Sequence, residues 1–80
     1  MVNMRAYVLI QTEVGRAASV AHAVRSLAGV VAADIVTGSY DVILATEAES
    51  LNDLARLVVS RVQATPGITH TLTCPVVDLD

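Results

Sequence analysis

Apolar residues recur along this chain at two different spacings, and the order in which those spacings alternate restricts the fold more than any other feature. Met4–Gln11 has a period of two, with Ala6, Val8 and Ile10 on one face and Arg5, Tyr7, Leu9 and Gln11 on the other, which predicts a strand. Arg16–Ala28 switches to helical spacing. Ala17, Val20, Ala21, Val24, Leu27 and Ala28 form its apolar stripe, and Arg16, Ser19, His22, Arg25 and Ser26 take the opposite side. Gly29 then stands at the C′ position, where a left-handed conformation costs glycine least.

The same alternation repeats. Val30–Thr37 reads as a second strand, with Asp34 interrupting one face, and Tyr40–Thr46 as a third. Gly38-Ser39 between them predicts a two-residue hairpin, since glycine supplies the positive φ of a tight reversing turn. Glu47–Ala64 returns to helical spacing, with Leu51, Leu54, Leu57, Val58 and Val62 on one stripe. Its start has two competing capping boxes, Thr46…Glu49 and Ser50…Asp53. Glu47, Glu49 and Asp53 suit the positive end of that helix and need no other role. Pro66-Gly67 stops it. Thr69–Val77 is the last strand, with Thr69, Thr71 and Thr73 on one side and His70, Leu72 and Cys74 on the other. Pro75, which cannot donate to a ladder, marks it as an edge.

The resulting order, β-α-β-β-α-β, with right-handed crossovers, places both helices on one face of a four-stranded sheet. The expected fold is therefore α+β, a ferredoxin-like βαββαβ plait with the first and third strands central. Its second sheet face is bare yet partly apolar, because Tyr7, Leu9 and part of the second and third strands point there. Such a face is an interaction surface by default. Two such sheets are expected to pack face to face in a dimer.

Size reinforces that expectation. Residues 1–80 make one domain, and a chain this short buries only roughly 60–65% of its unfolded surface. Cys74 is the sole cysteine, so no intrachain disulfide supplements the core, and one Cys with the separated His22 and His70 offers no structural-metal spacing. Oligomerisation is the remaining supplement, and no cofactor motif is present. Cys74 itself is expected to be a buried small hydrophobe. No apolar run approaches the ~20 residues of a membrane span, Met1–Arg5 lacks the pattern of a signal peptide, and a lone cysteine suits a reducing, cytoplasmic setting. The net charge is −3, lysine is absent, and Arg5, Arg16, Arg25, Arg56 and Arg61 are dispersed. Direct nucleic-acid binding needs a basic cluster and is not expected.

Val36-Thr37-Gly38-Ser39-Tyr40-Asp41 at the hairpin, Leu51…Leu54 on the second helix, and Pro66-Gly67-Ile68 leading into Thr71-x-Thr73 together resemble the effector-binding (RAM) domain of the Lrp/AsnC family of transcription regulators. The resemblance covers essentially the whole chain. Family members carry a DNA-binding helix-turn-helix before this domain, whereas this sequence enters its first strand within a few residues of Met1, so it looks like a stand-alone form without DNA binding. The resemblance implies a homodimeric αβ barrel, further assembly of dimers, commonly into octameric rings, and amino-acid effectors bound in clefts near the hairpin and the last strand.

Candidate site residues follow from that likeness, each beside a structural alternative. Gly38 and Ser39 either form the turn and nothing more, or leave backbone N–H groups open to a ligand carboxylate. Asp41 either caps the turn's own N–H groups or, at the family's G-x-x-D position, pairs with an effector's ammonium. Tyr40 lines the cleft or packs at the dimer sheet. Thr71 and Thr73 are common strand residues, or hydroxyls that orient a polar ligand. His22 is expected to be solvated, and His70 to sit at a core edge or interface.

No catalytic residues are expected. The chain has no phosphate loop, no Ser/His/Asp spacing and no acid–base pair. Besides effector binding, two readings stand: a module that hetero-oligomerises with full-length Lrp/AsnC regulators without a ligand, and a small αβ-barrel enzyme, for which the chain offers few suitable groups.

Overall fold

The computed structural model describes residues 4–77. Along the chain run β1 (Met4–Thr12), α1 (Ala17–Arg25), β2 (Val30–Ile35), β3 (Val42–Ala48), α2 (Leu51–Arg56) and β4 (Ile68–Pro75). α2 continues directly into a π-helical segment, Leu57–Val62. The strands form one antiparallel sheet in the order β2-β3-β1-β4, with β1 and β3 central as the alternating pattern predicts. In register, Val8 lies opposite Leu44 on one side and Thr73 on the other, and Ile10 opposite Val42 and Thr71.

One sheet face makes the core. Ala6, Val8, Ile10, Val42 and Leu44 meet Val20, Ala21 and Val24 of α1 and Leu54, Leu57, Val58 and Val62 of the second helix. Full burial of a Val, Leu or Ile side chain stabilises by roughly 1.5–3 kcal/mol, so the helix and strand residues of this core contribute together to folding. Thr46, the buried polar residue among them, donates its hydroxyl to the Ala6 carbonyl at 2.8 Å.

The other face carries Tyr7 and Leu9 from β1, Ile43 and Ala45 from β3, and Leu72 and Cys74 from β4, as their register requires. Tyr7 and Leu72 are 47% and 44% exposed, so this is the bare, partly apolar face that the sequence predicts.

Several local expectations are corrected. The β2–β3 connection is not a two-residue hairpin. β2 stops at Ile35 rather than Thr37, β3 starts at Val42 rather than Tyr40, and Val36–Asp41 is a loop closed by the Val36 N–H donating to the Asp41 carbonyl at 2.8 Å. α1 is also shorter than predicted. It ends with Ser26 as its C-cap, and Gly29 stands beyond it in the turn before β2. There Gly29 has φ +97°, and a Cβ would lie 3.1 Å from Leu57 Cδ2 and 3.2 Å from the Glu47 carbonyl. The close approach is a backbone contact, since the Glu47 N–H donates to the Gly29 carbonyl at 2.9 Å.

The second helix starts one turn later than Glu47. Ser50 is its N-cap, accepting from the Asp53 N–H at 3.1 Å. The Thr46…Glu49 box fails because Thr46 is committed to the sheet core. Leu51, expected in the stripe, is 61% exposed because it sits at the first turn, beyond the reach of the sheet. Cys74 is exposed, not buried, because its register position opposite Tyr7 puts it on the bare face.

Candidate functional site

Asp41 ends the loop at the point where the β1–β3 ladder runs out. Its N–H donates to the Ile10 carbonyl at 2.8 Å, and its carboxylate Oδ2 accepts the Thr12 N–H at 2.8 Å and the Thr12 hydroxyl at 3.3 Å. The Thr12 amide points toward β3 but finds no further strand carbonyl there, so the side-chain oxygen replaces it. Asp41 thus caps a neighbouring strand rather than its own turn. Among the described residues, Oδ1 receives no hydrogen bond.

The rest of the loop is held from the bare face. Gln11 reaches across to donate Nε2 to the Ser39 carbonyl at 2.9 Å. Gly38 has φ +120° with open space where a Cβ would be, so its conformation, not crowding, selects glycine there. Gly38 and Ser39 are exposed, and Tyr40 and Asp41 half-buried.

Thr71 and Thr73 stand on the other flank of β1, on the helix-covered side of the sheet. The π-helical turn carries Gln63 to this edge, where its Nε2 donates to Thr71 Oγ1 at 3.1 Å. Gln63, Ile68, Thr69, His70 and Thr71 line an open groove of about 440 Å³. Neither the Gly38–Asp41 loop nor Thr73 lines it. The six candidate residues therefore form two groups separated by β1, with Thr71 near the Asp41 end of the sheet and Thr73 at its middle, opposite Val8.

Gln11, Thr12 and Gln63 were not singled out by sequence, although each fixes a candidate residue. Gln11 shares its face with Arg5, Glu47 and His70, so its polar character did not set it apart. Among the described residues, no three His, Cys, Asp or Glu side chains converge to hold a metal ion, and no helix is long and apolar enough to cross a membrane.

Comparison with known structures extends this geometry. TTHA0845 from Thermus thermophilus superposes with a TM-score of 0.89 at 24% identity, covering 94% of this chain and 94% of that one. FFRP-DM1 superposes at 0.87 with 27% identity, over 92% of this chain and 99% of that one. The transcriptional regulator NMB0573 from Neisseria meningitidis, solved as a complex with L-Met, shares the fold at 0.83 and 18% identity, over 95% of this chain but 51% of its own. No curated protein matches the sequence at a significant level. The model of the Lrp/AsnC ligand-binding domain matches residues 5–78, and the chain belongs to that family.

Proposed function

We propose that this chain is an effector-binding and oligomerisation module whose ligand is an amino acid or a similar small zwitterion. The observation that carries this reading is the half-used carboxylate of Asp41. One oxygen is anchored by Thr12, which orients the group, while Oδ1 stays open at the end of the sheet to take an ammonium. Gly38 and Ser39 offer exposed backbone for a ligand carboxylate, Tyr40 flanks them, and the Thr71 and Thr73 hydroxyls orient polar atoms from the β4 side. The family's ligand-binding character and the L-Met complex of the Neisseria regulator support a binding role over a catalytic one.

Because β1 separates the two groups of site residues, we assign the complete cleft to an assembly. Homodimers form by packing the bare faces through Tyr7, Leu9, Ile43 and Leu72, and dimers associate further, with an octamer as the ring the family resemblance implies. The same face fits the corresponding domain of a full-length regulator, as the shared fold with half of the Neisseria protein allows. Co-purification of such a regulator with this chain is the outcome that would favour this second reading.

Thermal shift against a panel of L-amino acids at millimolar concentration tests the binding reading. A ligand present at about 100 times its Kd stabilises by roughly 2.7 kcal/mol, well within detection. At least one member is expected to raise the Tm of the native chain and to lose that effect with Asp41→Asn. No response to any member, or a response unchanged in Asp41→Asn, overturns it.

A further inference from the structure

The groove beside Thr71 lies where both of its walls depart from regular geometry. In the helical wall, Leu54, Leu57 and Val58 are buried, and at α-helical spacing that stripe would continue at Arg61. The π-helical segment prevents this. The Gln63 N–H donates to the Val58 carbonyl at 2.9 Å, and this wider turn accommodates one extra residue. Arg61 is thereby exposed, and Val62 is fully buried in its place. Gln63 turns with them. In an unbroken α-helix it would stand about two and a half turns after Leu54 and point away from the sheet. Here it reaches the β4 edge and donates Nε2 to Thr71 Oγ1 at 3.1 Å.

In the strand wall, Gln11 lies opposite His70 but Thr12 lies opposite Ile68, so Thr69 is the extra residue of a bulge. Ile68 packs against the core while Thr69 stays exposed. Both kinds of irregularity recur at functional sites, and here the two flank one groove.

The hydrogen-bonding capacity left in the groove specifies what enters it. Gln63 uses one N–H on Thr71, which leaves Gln63 Oε1 to accept and the Thr71 hydroxyl to donate. Turning the amide over exchanges the two roles and again leaves one donor beside one acceptor. Gln63, Ile68, Thr69, His70 and Thr71 bring no carboxylate or guanidinium to the groove. The His70 side chain belongs to the bare face, which its register position opposite Gln11 assigns to it.

We propose that this groove is the side-chain subsite of the effector cleft, where Gln63 and Thr71 select an uncharged group that both donates and accepts, a carboxamide above all. The selection rests on the binding role given to Asp41 above, which holds the ligand's ammonium. The C=O and NH2 of a carboxamide answer the Thr71 hydroxyl and Gln63 Oε1 together. A carboxylate only accepts, and an alkyl or thioether chain has no donor, so each leaves a polar group of the pair unsatisfied.

Calorimetric titration of the native chain with matched amino acids tests the selection. L-Glutamine is compared with L-glutamate and L-methionine, and L-asparagine with L-aspartate and L-leucine, which holds size nearly constant. One carboxamide is expected to bind at least about tenfold more tightly than both of its analogues. Gln63→Met, at an exposed position, and Thr71→Val are each expected to abolish that preference while the analogues bind as they do to the native chain. A purely structural effect would instead weaken every ligand alike. Binding that needs Asp41 but shows no carboxamide preference, or a preference that survives in either variant, overturns the selection and leaves the effector-binding reading standing. Binding of no amino acid overturns both.

Discussion

The Thr12 backbone amide is capped by the Asp41 carboxylate at 2.8 Å, across 29 positions of sequence. This contact ties the loop that carries Gly38, Ser39 and Tyr40 to the end of the central strand. It gives Asp41 a structural role alongside the ligand-binding role proposed for it.

The two roles separate by substitution. Asp41→Ala leaves a partly buried N–H without its acceptor and should cost about 1–2 kcal/mol. For a domain of this size that lowers Tm by roughly 4–8 °C per kcal/mol. Asp41→Asn keeps an acceptor for Thr12, so it should retain most of the stability while losing the amino-acid-induced shift. Chemical denaturation paired with thermal shift reads both effects.

Two glycines with positive φ should respond differently to a methyl group. Gly29→Ala brings a Cβ within 3.1 Å of Leu57 and 3.2 Å of the Glu47 carbonyl, so it combines backbone strain with a clash and should cost about 2–4 kcal/mol. Gly38→Ala meets open space and should carry the conformational term alone, about 1–2 kcal/mol. Equal destabilisation in urea unfolding would show that close approach at Gly29 contributes nothing.

The helix start is a single-residue matter. Ser50→Ala removes the acceptor for the Asp53 N–H and should destabilise by ~1 kcal/mol, whereas Glu49→Ala, which belongs to the unused capping box, should stay within about 0.5 kcal/mol. A reversal of that order in denaturant midpoints would return the cap to Thr46.

Packing through the bare face predicts a stability that depends on protein concentration, because association draws the folded state by mass action. Tm should rise over a hundredfold increase in concentration. Leu9→Asp, which charges the middle of the face without entering the core, should flatten that dependence and reduce the mass seen by analytical ultracentrifugation.

Periodicity specified the order of elements, and with right-handed crossovers it was enough for the central pair of strands, the helix-covered face and the bare one. These depend on which side of each element is apolar, and that is written locally at spacings of two and about 3.6. Val20, Ala21, Val24, Leu54, Leu57, Val58 and Val62 lie where their spacing puts them. Local signals did less well at the ends of elements. Gly38-Ser39 reads as a tight hairpin, yet the loop opens to Val36–Asp41 because Asp41 is drawn to Thr12 on another strand. Leu51 and Cys74 are exposed for a related reason: burial depends on what lies opposite, which a residue's own apolarity does not report.

The candidate site divides along the same line. Gly38, Ser39, Tyr40, Asp41, Thr71 and Thr73 were named as candidates through the likeness to the Lrp/AsnC family, which does not mark their partners Gln11, Thr12 and Gln63. The bonds from Gln11 to Ser39, Thr12 to Asp41, Gln63 to Thr71 and Arg25 to Ala33 all depend on tertiary geometry. Whether Gln63 reaches Thr71 depends on where the π-helical turn meets the edge of β4. That meeting is a property of packed elements, and it comes into being only when the helix docks on the sheet.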